Sequence, residues 1–155
     1  MFRGFSLVTA VSLILILSCY GVLDAGRLYG PCVFAMGAIP LLAALLWRLK
    51  LSRLLPDIMF GAIDTGLLVV AALIGAARFG VIGAVVGSAV GDAITDGIAG
   101  FFEGGIAEWL RGHGIEESRT AVGSACGKMA GCLLGSGLAL TLAWTLGFGQ
   151  AFMAT

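Results

Sequence analysis

Charge is what this sequence has least of. Only 12% of its 155 residues are Asp, Glu, Lys or Arg, while 59% belong to the hydrophobic set and the mean hydropathy is +1.06. Soluble domains carry about 25% charged and roughly 45–50% apolar residues, so a soluble globular domain is excluded. The 9 Lys and Arg balance the 9 Asp and Glu; there is no basic field for nucleic acid and no acidic tail. The single histidine, His113, lies between glycines and near Glu116 and Glu117, which reads as a solvated turn rather than a metal site. The cysteines at 19, 32, 126 and 132 have no C-x-x-C spacing. That argues against thiolate metal transfer and leaves small-residue packing as their role, with a Cys19–Cys32 disulfide near the outer face as the alternative. No G-x-x-x-x-G-K-[ST] loop, G-x-S-x-G elbow or H-E-x-x-H helix occurs, so no enzymatic activity is expected. The low hydropathy of disorder and the three-residue glycine period of collagen are absent too.

What the chain does have is apolar length. A hydrocarbon core of roughly 30 Å demands about 20 apolar residues at 1.5 Å each, and the runs 5–23, 31–47, 58–77, 81–102 and 120–148 supply them. The expected fold class is an all-α integral membrane protein with five transmembrane helices. Arg78-Phe79-Gly80 separates the third run from the fourth, and Gly104-Gly105 offers a break after it, with a short amphipathic piece over 106–110 lying along the interface. The first run also invites a signal-peptide or lipoprotein reading. Leu17 stands where Leu17-Ser18-Cys19 would need a small residue, so a retained helix is expected. Trp47, Trp109 and Trp144 fall near span ends, where indoles anchor.

Lys and Arg alternate between the two sides. Arg3, Arg48, Lys50, Arg53, Arg111 and Arg119 fall on one side, Arg27 and Arg78 on the other. The richer side stays cytoplasmic, which predicts an inner N-terminus, an outer C-terminus and, with no arginine-rich transit peptide, the plasma (inner) membrane of a bacterium.

Two unequal parts follow. Residues 1–50 hold two apolar scaffold spans, and residues 58–150 form a three-helix domain that carries the informative side chains. Asp64, Asp92, Asp96 and Lys128 all lie inside predicted spans, where a charge costs about 2.5–3.5 kcal/mol even on a lenient scale. The topology places Asp64 and Asp96 about 9 Å inside the inner boundary, with Asp92 and Lys128 nearer the midplane. Asp92 and Asp96, at i and i+4, share a helix face that continues through Ala99 to Glu103. Glycines recur every four residues, at Gly83, Gly87 and Gly91 and again at Gly123, Gly127, Gly131 and Gly135. Such small-residue grooves predict close contact of spans four and five, or of one of them with a second subunit. The run 86–92 also reappears as 122–128, in the opposite direction across the membrane and with Lys128 in the place of Asp92. Inverted repeats with a midplane site are a transporter design, and this one predicts an Asp92–Lys128 pair.

Gly61-x-x-Asp64, Gly91-Asp92-x-x-Thr95-Asp96, the acid at Glu108 and Gly127-Lys128-x-x-Gly131-Cys132-x-Leu134-Gly135 together resemble the C-terminal membrane domain of the transmembrane protein 65 family, over about residues 58–140. Animal members of that family sit in the mitochondrial inner membrane and are linked to sodium-dependent calcium efflux, as exchanger or as partner. The resemblance therefore implies a role in cation transport. The chain departs from the pattern where Asp92 and Thr65 replace asparagines and in its two extra N-terminal spans.

The residues themselves point the same way. Hard cations take oxygen ligands, and Asp64, Asp92 and Asp96 with Thr65, Thr95, Ser88 and Glu103 supply them, while Lys128 competes for a carboxylate. The expected function is transport or exchange of a cation such as Ca2+ or Na+, with no bound cofactor. The alternative is a structural or regulatory membrane subunit, with a membrane protein as its partner, whose buried charges hold the bundle together. A chain this short predicts a homo-oligomer in the lipid bilayer.

Overall fold

The computed structural model describes residues 2–23, 28–113 and 120–147, and over them the chain is helical apart from short turns. Helix α1 spans Phe2–Leu23, α2 Tyr29–Met36, α3 Ala38–Leu46, α4 Leu51–Gly112 and α5 Ala121–Thr145. Four helical stretches are long and apolar enough to cross a membrane: α1, the α2–α3 unit Tyr29–Leu46, Leu51–Phe101 of α4, and α5. The protein is a multi-pass membrane protein of the all-α class.

The 51-residue, mainly apolar stretch of α4 would reach about 77 Å if straight, more than twice a hydrocarbon core. They double back instead. Phe79 (φ −133°, ψ 16°) and Gly80 (φ 60°, ψ −144°) leave helical space at the expected break, and Gly80 adopts a conformation that is essentially glycine-only. The arms 51–78 and 81–112 then lie side by side, Gly75 against Gly83, Ala71 against Gly87 and Leu68 against Gly91. The expected break at Gly104-Gly105 does not occur: the second arm runs on to Gly112, and 106–110 is its continuation rather than a separate interfacial piece. Glycine weakens a helix interior by about 1 kcal/mol but does not forbid it.

In the second crossing only the hydrogen-bond ladder is interrupted, because Gly37 keeps helical dihedrals (φ −59°, ψ −21°). Pro40 has no N–H for the Met36 carbonyl and its ring crowds that carbonyl. The helix is interrupted at Gly37, whose N–H bonds Phe34 O at 3.1 Å. Helix α3 ends in a Schellman turn, Arg48 N–H to Leu45 O at 2.9 Å and Leu49 N–H to Ala44 O at 3.0 Å, with Arg48 at φ 57°. Helix α5 begins at the cap Thr120, whose Oγ1 accepts the Gly123 N–H at 3.1 Å.

Helix α5 is the hub. Its buried positions are Gly123, Cys126, Gly127, Ala130, Gly131, Gly135, Ser136 and Gly137. A Cβ on Gly131 or Gly135 would run into the backbone of Ile58 or Ala62, and one on Gly137 into Phe34. The first arm of α4 therefore runs parallel to α5, with α2 antiparallel on another side. The core cluster is Ala44, Leu54 and Cys126, flanked by Leu49, Ile58 and Val122. Outward positions such as Phe5, Leu17, Ile63 and Val86 are more than half exposed, as a lipid-facing surface requires. All four cysteines are free thiols, so the alternative of a Cys19–Cys32 disulfide is not realised.

These contacts also correct one expectation. The glycine stripes of the fourth and fifth spans do not meet each other. Gly83, Gly87 and Gly91 face the first arm of α4, and Gly127, Gly131 and Gly135 face a different side of that same arm. One central helix with small residues on two faces, Ala62, Ala71 and Gly75 among them, receives both neighbours.

Candidate functional site

The hairpin register assembles the acidic residues. With 75 opposite 83, 71 opposite 87 and 68 opposite 91, Asp64 on the first arm falls opposite the turn bounded by Asp92 and Asp96 on the second. One carboxylate oxygen from each of the three lies within 4.8 Å of the others. Asp64 is half-buried, and its Oδ1 is fully enclosed with no hydrogen-bond partner. Asp92 and Asp96 are exposed, and the exposed apolar stripe Val86, Val90, Ile94 and Ile98 lies on the other side of the same helix.

Hydroxyl groups sit beside the acids. Thr95 is buried, and its Oγ1–H is shared between the carbonyls of Gly91 and Asp92, both at 3.1 Å; this bond to its own helix leaves the oxygen lone pairs to accept. Thr65 follows Asp64 and is half-buried, as is Ser88, one turn before Asp92. The side chain of Glu103 lies outside the described residues.

Lys128 stands apart from this group. Its Nζ lies 5.3 Å from the Phe60 ring centroid, within cation–π range. The expected Asp92–Lys128 pair is corrected by the register of α5. Ile58 and Ala62 meet Gly131 and Gly135, and Gly61 meets the Lys128 carbonyl, so Lys128 sits nearer the Leu51 end than Asp64 does. The repeat gives the two copies opposite directions; it does not give them a common level.

Asp57 escaped the sequence reading. It is only 2% exposed, and its Oδ2 accepts the Ser124 hydroxyl at 3.0 Å. It lies one residue before the apolar run 58–77, outside the predicted span. The spacing 57, 61, 64 on one helix face was the available signal.

Protein-family models, curated proteins and solved structures were all compared with this chain, and none matches.

Proposed function

We propose that the α4 hairpin holds a cation between its arms and that the protein carries this cation across a membrane. The observation that carries the reading is the convergence of Asp64, Asp92 and Asp96 within 4.8 Å while Asp64 Oδ1 is enclosed without a partner. Three carboxylates this close repel one another unless protons or a cation compensate them, and an all-oxygen set selects a hard cation such as Ca2+ or Na+. Asp64 lies midway along its arm, near the midplane if the arm spans the bilayer, where an intramembrane acid marks an ion pathway.

Asp92 and Asp96 are exposed on an apolar helix, and acids at bilayer depth face a bundle interior or a water-filled cavity rather than lipid. The protein accordingly works as a homo-oligomer with the acidic faces of its hairpins turned inward. Arg3, Arg48, Lys50 and Arg53 lie toward one end of the bundle, which argues for a cytoplasmic N-terminus; a bacterial inner membrane is part of the same proposal.

Ion flux in proteoliposomes holding only the purified protein tests this, with calcium, sodium, magnesium and proton gradients applied in turn. Flux that disappears in Asp64→Asn and Asp96→Asn establishes the carrier and names its ion. Folded protein without flux under any gradient overturns it in favour of an accessory subunit.

A further inference from the structure

A second polar concentration lies at the end of the bundle where α3 passes into α4 and α5 begins. A cavity of about 140 Å³ opens there, lined by Arg48, Lys50 and Arg53 together with Asp57, Thr120 and Ser124. One water needs about 10–15 Å³ of such space, so the cavity admits a tetrahedral oxyanion with water around it. Among the described lining residues three cations stand against one carboxylate, a net positive set. That carboxylate is also turned under, since Asp57 is buried and engaged by Ser124, whereas Arg48, Lys50 and Arg53 are exposed.

Two further features add to the field. The 25-residue helix α5 starts at the cavity wall, and its Ala121 and Val122 N–H groups precede the first intrahelical bonds, at the positive end of the helix. Arg48 occupies a left-handed position, φ 57°, that glycine fills at the corresponding turn after α5, where Gly147 has φ 86°. The chain thus keeps a guanidinium at a place where backbone conformation favours glycine. Trp47, 42% exposed beside it, sits as an indole does at headgroup depth.

We infer that this cavity binds a phosphate group, either that of an anionic lipid headgroup or free phosphate. Guanidinium groups offer paired donors to phosphate oxygens and Lys50 adds a point charge. The site is separate from the acidic cluster, because Asp64 lies about 20 Å along α4 from Leu51.

The test uses the full chain in detergent. Phosphatidylcholine alone and phosphatidylcholine with added phosphatidylglycerol are offered in parallel, lipid retention is read by native mass spectrometry, and inorganic phosphate is titrated by calorimetry. The wild type is expected to retain phosphatidylglycerol over phosphatidylcholine. Arg48→Gln, Lys50→Gln and Arg53→Gln should each weaken binding about fivefold and the triple variant about a hundredfold, the usual share of one basic residue at an anionic surface. Arg78→Gln, at the opposite end, should change nothing. Phosphatidylglycerol that inorganic phosphate fails to displace identifies the headgroup as the source; phosphate that binds alone, or displaces the lipid, identifies free phosphate. The inference is overturned if neither probe binds, if the triple variant binds as the wild type does, or if Arg78→Gln is as damaging as the triple change. Thermal midpoints of the single variants, all at exposed side chains, separate loss of binding from loss of fold.

Discussion

Replacing Gly87 by alanine tests whether the packing of the hairpin sets the geometry of its carboxylates. A Cβ on Gly87 would lie 2.5 Å from the Ala71 carbonyl oxygen and 3.1 Å from its carbon, where ordinary contact begins near 3.4 Å. Both atoms are backbone and cannot rotate away, so the arms must part by about 0.9 Å, the difference between 3.4 and 2.5 Å. Overpacking of this kind costs about 1–3 kcal/mol, which a multi-span bundle survives. Cation coordination is less tolerant, since ligand distances hold to about ±0.2 Å. Asp92 and Asp96 lie on the same arm as Gly87, and Asp64 on the other, so the cluster opens with the arms. Calcium binding followed by thermal stabilisation in detergent should weaken at least tenfold, about 1.4 kcal/mol. Gly97→Ala is the control, because it follows Asp96 directly but has open space around it, and the added Cβ favours the helix by about 1 kcal/mol. A Gly87→Ala protein that binds calcium like the wild type, or a Gly97→Ala protein that loses binding equally, refutes the coupling of arm spacing to the site.

Other expectations follow from single features. Gly80→Ala should lower the unfolding free energy through backbone strain alone, by about 1–3 kcal/mol, because no atom lies within 4 Å of the added Cβ; Gly100→Ala, equally open but helical, should not, and unfolding midpoints of the two variants check this. Ser124→Ala takes a donor from the buried Asp57 and should cost about 1–3 kcal/mol in thermal or detergent unfolding. Thr120→Ala removes the cap of α5; about 1 kcal/mol of local stability should be lost, seen as faster amide exchange in the first turn.

The sequence by itself determined the class and the segments. Hydropathy is a local property, so apolar runs of spanning length, the break at Arg78-Phe79-Gly80 and the i, i+4 pairing of Asp92 with Asp96 could be read directly. Punctuation was less secure. Pro40 interrupts the hydrogen-bond ladder of the second crossing while Gly104-Gly105 fails to interrupt the fourth, because proline removes a hydrogen bond outright and glycine only lowers a preference. Register and partner choice belonged to the tertiary structure. A glycine stripe announces that something comes close but not what, and here the stripes of the second arm of α4 and of α5 both close on the first arm of α4. That choice brings Asp64 level with Asp92 and Asp96 and leaves Lys128 beside Phe60. Asp57 shows the same limit, since its burial comes from α5, a helix more than 60 residues away in the chain. Contact between helices depends on which backbones can approach, and two sequences with the same stripes can satisfy that in more than one way until the whole bundle is packed.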